Sequence, residues 1–320
     1  MTTGVGDDIQ YAKELLLQDE LVAVPTETVY GLAGNALSEK AVSKIFEAKG
    51  RPRFNPMIMH VVNVEAIGDY AHTNEKIRSW LSLYMPGPLT VLLPKKNNVS
   101  DLLTAGSKKV AIRIPRHPLT KQLLEQTGFP LAAPSANPFG YVSPVTARHV
   151  WEGLNGKIPY ILDGGTCTVG IESTIVEPSG DKLLIHRLGG LSLETLQDKT
   201  DFIIELASRK ENPQTPGQMK SHYAPNTPLH VGDIEELITL FPGKKTAVIS
   251  FSRDYDTSII TTYRLSVSRD MNQAASNLFK VLRLVDKENF DIILAEKFPE
   301  DGLGKAINDR LNRAQAEFKH

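Results

Sequence analysis

The segment KIFEAKGRPRFNP, residues 44–56, gathers positive charge where a predicted helix ends. Lys49 and Arg51 flank Gly50, Arg53 follows two residues later, and the segment contains a single acid. Because glycine has no side chain, the two flanking cations can converge on one anion. Arginine binds phosphate oxygens with two parallel N–H groups, and lysine supplies a mobile point charge. The spacing therefore favours a phosphate site; the alternative is that the lysine only complements the negative end of a helix.

A second concentration of positive charge surrounds VAIRI, a predicted strand at 110–114. Between Leu102 and Trp151 the sequence has six cations and one acid. Arg113 has apolar neighbours on this strand, so an inward-facing guanidinium would need an anionic partner or ligand, because an unpaired buried charge is costly. The alternative is an outward-facing arginine on a half-exposed strand.

Uncharged hydroxyl and amide groups come from three further segments. PTETVYGLAGNA at 25–36 follows a predicted strand and carries Thr26, PLAAPSANPFGYVSP at 130–144 is stiffened by four prolines, and DGGTCTVGIESTIVE at 163–177 carries Ser173 after a glycine-rich turn. Such groups can donate to and accept from a bound ligand. The alternatives are a capped strand-to-helix turn for the first segment and structural turns for the others.

Composition and absent motifs narrow the class of protein. The chain has 320 residues with 36 Lys plus Arg against 37 Asp plus Glu, which argues against a protein held to nucleic acid by bulk charge but leaves room for a local basic site. No apolar run reaches the roughly 20 residues of a membrane span, and acids stand where a signal peptide would be basic and apolar, so we predict a cytoplasmic protein without membrane segments.

The lone Cys167 has no deducible histidine partner, which disfavours a nucleophilic role, and we predict no protein metal site. Because P-loop, G-x-G-x-x-G, G-x-S-x-G and H-E-x-x-H motifs are absent, any nucleotide site must be built from the cations and hydroxyls above.

Hydrophobic periodicity divides the chain into three parts. Residues 1–203 mix short apolar strands with helices and form the first predicted domain. Residues 204–228 contain four prolines without a period of 2 or 3.6, which is typical of a semi-extended linker. Residues 229–320 alternate strand and helix, which predicts a small α/β domain with a largely parallel, Rossmann-like sheet.

Together these segments resemble the YrdC-like family of threonylcarbamoyl-AMP synthases. PTETVYGL, the K-G-R-P-R-x-N-P segment, the strand VAIRIP and the S-x-N of APSAN occur in that family's order and spacing, over about residues 7–198. KSHYAPNTPL at 220–229, followed by a small α/β domain, is similar to the family's long two-domain form. The resemblance implies an open, twisted, mixed α/β sheet for the first domain, with a large basic concavity.

The same resemblance implies an activity and its residues. Such enzymes join L-threonine, bicarbonate or CO2, and ATP with Mg²⁺ into threonylcarbamoyl-AMP and pyrophosphate, and downstream machinery transfers the threonylcarbamoyl group to tRNA. Lys49 and Arg51 would be catalytic. The residues implied for ATP are Lys49, Arg51, Arg53, Ser135, Asn137, Ser143, Arg187 and Tyr223. The residues implied for threonine are Thr26, His60, Arg113, Ala133 and Ser173. The phosphates and water would hold most of the Mg²⁺ coordination.

Two hypotheses remain open for the linker and three for the function. We expect residues 204–228 to fold over the cleft as a lid that excludes water, with Tyr223 near the nucleotide; the alternative is a plain tether. The alternative to the enzyme is a module that binds tRNA or double-stranded RNA without catalysis, which the local basic charge favours and the scarcity of clustered aromatic residues disfavours. A related carbamoyl-transfer domain is a third interpretation, disfavoured because no acylphosphatase or zinc-finger-like segment is attached.

Overall fold

The computed structural model describes residues 2–207 and 223–315, which form two β-sheets with flanking helices. Most of the predicted linker, residues 208–222, lies outside the described residues. None of the described helices combines the length and the apolar character that a membrane span requires.

The larger sheet holds the strands of the N-terminal part of the chain. They are β1 (Gly4–Gly6), β2 (Val22–Val24), β3 (Gly31–Asn35), β4 (Ile58–His60), β5 (Leu89–Pro94), β6 (Lys109–Arg113), β7 (Leu131–Ala132), β8 (Tyr160–Leu162), β9 (Thr174–Ser179), β10 (Lys182–Arg187) and β11 (Ile203–Leu206). Their order across the sheet is β1-β8-β2-β3-β7-β4-β6-β5-β9-β10-β11. The sheet is mixed, since β6 runs parallel to β4 and antiparallel to β5, and β5 runs parallel to β9. The predicted mixed α/β fold is confirmed.

The helices of this part are short and mostly begin with a side-chain cap. They are α1 (Ile9–Leu17), α2 (Glu39–Lys49), α3 (Ile67–Tyr70), α4 (Glu75–Leu81), α5 (Asp101–Thr104), α6 (Pro118–Thr127), α7 (Ala147–Leu154) and α8 (Leu193–Gln197). Ser38 caps α2 by accepting the Ala41 N–H at 3.3 Å. The helix ends at Gly50, whose left-handed φ of 60° lets the chain turn between Lys49 and Arg51.

Apolar side chains cover both faces of the larger sheet. One cluster joins Leu16 of α1 and Leu123 of α6 to Val22 of β2. The larger cluster lies on the other face and continues into the C-terminal part of the chain, where it includes Phe279. The two parts therefore share a continuous core, which fixes the second sheet relative to the first.

The smaller sheet is parallel throughout its described strands. It contains β12 (Leu229–Gly232), β13 (Thr246–Ser250), β14 (Ile260–Arg264) and β15 (Ile292–Glu296), in the order β12-β15-β13-β14, with helices α9 (Ile234–Leu240), α10 (Met271–Val285) and α11 (Gly304–Ala314). This confirms the predicted small C-terminal α/β fold.

Two local features differ from the sequence-based interpretation. Residues 25–36 do not turn into a helix, because Gly31–Asn35 form β3, antiparallel to β2 and β7. A Cβ on Gly31 would lie 3.1 Å from the Cβ of Ala133, so glycine permits this close approach of strand and loop. The larger sheet also extends past residue 203, since β11 reaches Leu206 and pairs parallel with β10.

Candidate active site

A row of polar side chains crosses five adjacent strands of the larger sheet. His60 ends β4 and lies opposite Arg113 at the end of β6, which in turn lies opposite Thr90 on β5. Directly opposed residues on neighbouring strands project from the same face of a sheet, so these three side chains share one face. Ser173 immediately precedes β9, and Arg187 ends β10. The strands thus align an imidazole, two guanidinium groups and two hydroxyls.

Arg113 is buried and paired with a buried carboxylate. Its Nη2 donates to Glu27 Oε1 at 2.8 Å, and its Nε donates to the Gly87 carbonyl at 3.2 Å. The second oxygen of Glu27 accepts the Arg116 backbone N–H at 3.0 Å. Burial would raise the pKa of Glu27, but the charge and hydrogen bonds of Arg113 hold it below its ordinary value. Of the two orientations that the sequence left open for Arg113, the structure shows the inward one, with an internal anionic partner that the sequence did not identify.

Thr26 organises the turn that presents Glu27. Its hydroxyl oxygen accepts the backbone N–H groups of Thr28 at 3.1 Å and Val29 at 3.2 Å, and the hydroxyl donates to the Val29 carbonyl at 2.6 Å. The residue is buried, and these contacts are local. Thr26 therefore shapes the backbone beside the site.

His60 is an uncharged base next to Arg113. Burial, followed by the positive charge of Arg113, lowers its pKa from 6.5 to about 3. Its Nδ1 atom is buried without a hydrogen-bond partner among the described residues. A buried polar atom without a partner is uncommon and is satisfied when a ligand or water supplies one.

Ser173 connects two of the aligned side chains. Its hydroxyl lies 2.7 Å from the Thr90 hydroxyl, and Arg187 donates to the Ser173 carbonyl and hydroxyl, both at 3.1 Å. Arg187 is buried, and burial lowers its pKa. These contacts fix a guanidinium beside a hydroxyl at the entry to β9.

Lys49 holds the loop that follows β7. Its buried ammonium donates to the carbonyl of Ser135 and, at 2.5 Å, to that of Asn137, while its own carbonyl accepts the Phe139 N–H at 2.8 Å. Burial, then the charges of Arg51 and Arg283, lower the pKa of Lys49 well below its ordinary value. The lysine predicted to bind phosphate thus contacts neutral oxygens of the APSAN segment.

Arg51 is also buried among neutral oxygens. Its Nε donates to the Asn55 carbonyl at 3.1 Å, and its Nη2 donates at 2.7 Å to both the Asn55 side chain and the Pro56 carbonyl. The Phe139 ring centre lies 6.0 Å from the guanidinium. Burial lowers the pKa of Arg51 to about 9. Gly50, Asn55 and Pro56 therefore position Arg51 without a contacting carboxylate in the described part of the chain.

These groups meet around one cavity. Its wall contains eight residues predicted for the site and four others. The eight are Arg51, His60, Arg113, Ala133, Ser135, Ser173, Arg187 and Tyr223. The four are Val29, Ile58, Pro134 and Glu172. Motifs spread from residue 51 to residue 223 thus share a single surface.

The other five predicted residues lie outside this wall. Thr26 and Lys49 organise its backbone as described above. Asn137 is buried and donates to the carbonyls of Pro138 at 2.9 Å and Tyr141 at 2.8 Å, whereas Arg53 is exposed. Ser143 is buried and donates to Glu172 Oε1 at 2.6 Å.

The C-terminal part of the chain contacts two residues of the cavity wall, Glu172 and Tyr223. Arg310 of α11 is fully buried, and its Nε donates to Glu172 Oε2 at 3.1 Å. Its guanidinium lies 5.6 Å from the ring centre of Tyr223, which stacks on Phe279 of α10 at 5.4 Å. Sequence reasoning missed Glu172 and Arg310. A signal existed for Arg310, because Ile307, Arg310, Leu311 and Ala314 share one helical face that is otherwise apolar.

The described residues offer no ready metal cage. Across residues 2–207 and 223–315, no group of three or more His, Cys, Asp and Glu side chains is placed to hold a metal ion. The carboxylate on the cavity wall, Glu172, already accepts from Ser143 and Arg310. These residues do not fit a protein-bound Mg²⁺.

Comparison with known proteins identifies the family. Residues 14–189 match the Sua5, YciO and YrdC family model, described as telomere recombination, and residues 190–316 match the model described as the C-terminal domain of threonylcarbamoyl-AMP synthase. The chain belongs to the threonylcarbamoyl-AMP synthase family. The resemblance inferred from the motifs is thereby confirmed.

Similarity to members of this family extends over nearly the whole chain. Threonylcarbamoyl-AMP synthases of Bacillus subtilis and Pyrococcus abyssi are 38% and 39% identical, with alignments covering 96% of this chain and 92% and 93% of those proteins. The crystal structure of P. abyssi Sua5 complexed with L-threonine matches with a TM-score of 0.89 at 38% identity, covering 98% of this chain and 97% of that one. E. coli YciO, at 19% identity and a TM-score of 0.52, shares the fold of 59% of this chain.

Proposed function

We propose that this chain synthesises threonylcarbamoyl-AMP from L-threonine, bicarbonate or CO2, and ATP, as the first step of threonylcarbamoyladenosine formation in tRNA. The observation that carries the proposal is the cavity wall, on which eight residues chosen from separate motifs converge. Three of them are arginines, and the others include two serines and a histidine whose imidazole is neutral. Such a wall suits a zwitterionic amino acid beside a polyphosphate.

In the proposed reaction, the amine nitrogen of threonine first forms a bond to the carbon of CO2 and loses a proton, or to that of bicarbonate with loss of water, which gives a carbamate. A carbamate oxygen then attacks the α-phosphorus of ATP, a new O–P bond forms, and the bond to the β-phosphate oxygen breaks to release pyrophosphate. Negative charge grows on the leaving group, so fixed cations and correct alignment supply the catalysis without a covalent nucleophile.

Threonine would lie along the row of aligned strand residues. Arg113 would orient the threonine carboxylate, with Glu27 fixing the guanidinium from behind. His60, held neutral, and the Ser173 hydroxyl would contact the polar groups of threonine, and Ala133 would border it. Because His60 is held neutral, its imidazole can accept a hydrogen bond from the threonine amine.

ATP would occupy the side of the cavity lined by the remaining arginines. Arg51 and Arg187 would contact phosphates, with Ser135 and Tyr223 bordering the nucleotide. Lys49, Asn137 and Ser143 would act by holding the backbone and Glu172, and Arg53 would reach the phosphates from the surface. Mg²⁺ would travel with ATP, coordinated by phosphates and water.

The test is a reconstituted reaction. The protein is incubated with labelled bicarbonate, ATP and Mg²⁺, with and without L-threonine, and the adenylate and pyrophosphate are measured. We expect both products only when threonine and bicarbonate are present together. A folded protein that gives no threonine-dependent adenylate would exclude the proposal, and tight, steeply salt-dependent tRNA binding without turnover would favour the RNA-binding alternative.

The lid hypothesis for residues 204–228 remains a prediction, because most of that segment lies outside the described residues. Tyr223 supports it, since this residue lies within the segment and borders the cavity. Deleting residues 212–226 should impair adenylate formation or retention while leaving the N-terminal domain folded. Unchanged turnover of the deletion variant would favour a plain tether.

A further inference from the structure

Glu172 places a negative charge on a wall that we assign to ATP. Among the described residues that line the cavity, it is the one acid, and three arginines share the wall with it. Its carboxylate is buried and accepts from Ser143 at 2.6 Å and from Arg310 at 3.1 Å. Burial would raise the pKa of Glu172, but the charges of Arg310 and Arg187 hold it below its ordinary value. The group is therefore ionised, and its charge must be compensated before a polyphosphate can bind nearby.

Arg310 reaches this carboxylate from the other part of the chain. It is fully buried on α11, and its Nη1 donates to the Leu188 carbonyl at 2.6 Å and to Asp309 at 3.2 Å. Its Nη2 has no hydrogen-bond partner in residues 2–207 and 223–315. Arg310 does not itself line the cavity, so any effect on ATP passes through Glu172 or Tyr223.

We propose that Arg310 is a positioning residue for ATP, which neutralises Glu172 from behind and so preserves the positive charge of the phosphate-binding wall. The inference rests on the proposed function. In this arrangement Arg51 and Arg187 face the phosphates, while Arg310 compensates the acid that also holds Ser143 in place. The C-terminal domain then supplies an electrostatic component of the active site in addition to apolar packing.

A neutral substitution tests the charge. In Arg310→Met, Glu172 stays ionised because Arg187 still neighbours it, and its charge then opposes the phosphates. We expect the KM for ATP to rise about tenfold or more, while the KM for L-threonine changes less than about threefold. Arg310→Lys, which keeps the charge but not the guanidinium geometry, should raise the KM for ATP less than Arg310→Met does.

Rescue separates electrostatics from folding. Adding Glu172→Gln to Arg310→Met removes the uncompensated charge and keeps an oxygen for Ser143, so the KM for ATP should return to within about threefold of wild type. The matched control is Arg283→Met. Arg283 is equally buried between the two parts of the chain, but it donates to the carbonyls of Val142, Ser143 and His149. Glu172→Gln should not improve the KM for ATP of Arg283→Met.

The outcomes are distinct. Equal increases in both KM values, or no rescue by Glu172→Gln, would overturn the proposal and leave Arg310 a purely structural residue. Thermal unfolding and circular dichroism establish that each variant is folded; if Arg310→Met is not, Arg310→Gln replaces it and keeps a donor for Leu188. The wild-type protein is assayed first, because absence of threonine-dependent pyrophosphate release there would refute the proposed function and not the role of Arg310.

Discussion

Two cations on the same cavity wall are compensated in different ways. Arg113 contacts the buried carboxylate of Glu27 at 2.8 Å, and the pair carries no net charge. Arg51 contacts the neutral oxygens of Asn55 and Pro56, and no carboxylate in the described part of the chain pairs with it. Both side chains are nearly inaccessible, at 4% and 7% relative exposure.

We propose that this difference decides which ligand charge each end of the cavity accepts. Burying an uncompensated guanidinium is unfavourable, and a bound anion offsets that unfavourable free energy. Arg51 therefore suits a phosphate that brings its own negative charge. The neutral Arg113–Glu27 pair instead offers oriented N–H groups, which suit the single carboxylate of a zwitterionic amino acid.

Arg51→Met should give the largest effect. We expect kcat/KM to fall about 10³-fold, because the variant loses a cation where charge grows on the leaving phosphate. The free energy of unfolding should fall by only about 1–2 kcal/mol, since neutral acceptors rather than a charge lose their donor. Pyrophosphate release and chemical denaturation measure the two quantities. Because Arg51 is buried, the loss of its hydrogen bonds contributes to the expected stability change.

Arg113→Met should reduce the free energy of unfolding more than Arg51→Met does. The substitution leaves the Glu27 carboxylate buried without its cation, so we expect the free energy of unfolding to fall by about 3 kcal/mol. Glu27→Gln in the same chain should recover most of that loss in urea denaturation, although threonine-dependent turnover stays impaired. If the double variant is as unstable as the single one, the loss of stability does not arise from the unpaired Glu27 carboxylate.

His60 provides a pH test at the threonine end. Its pKa falls from 6.5 to about 3 on folding, first through burial and then through Arg113. Between these pH values the unfolded chain binds a proton that the folded chain does not, so the free energy of unfolding decreases as the pH falls. His60→Gln should flatten this dependence by about 1 kcal/mol per pH unit. Denaturation curves of the wild type and of His60→Gln from pH 7 to pH 4 measure the slope.

The fold was largely predictable because its strands and helices carry strong periodic signals. The segments LVAVP at 21–25, LTVLL at 89–93 and VAIRI at 110–114 are largely apolar, and each contains or overlaps a strand. β3 was missed because GLAGN has two glycines and no β-branched residue, and its pairing with β2 and β7 depends on tertiary contacts.

The site was predictable in its residue types but not in its pairings. Arginines, hydroxyls and the histidine could be selected from local motifs. Glu27 and Arg113 are 86 positions apart, and Glu172 and Arg310 are 138 apart, so their contacts depend on the order of strands and on the docking of α11. Local spacing contains no information about which of two buried arginines receives a carboxylate.

Cys167→Ala should give the smallest effect, and it tests whether the Arg113 end of the cavity uses a nucleophile. Burial raises the pKa of its thiol to about 12, although the Thr26 backbone N–H acts in the opposite direction. A protonated, buried thiol is a poor nucleophile, so Cys167→Ala should keep kcat/KM within about twofold and lose about 1 kcal/mol of stability from the smaller side chain. Pyrophosphate release measures kcat/KM, and iodoacetamide labelling of the folded protein measures the reactivity of the thiol. A more than tenfold loss of activity in folded Cys167→Ala, together with rapid labelling of the wild type, would mean that the neutral end performs covalent chemistry and is more than an amino-acid clamp.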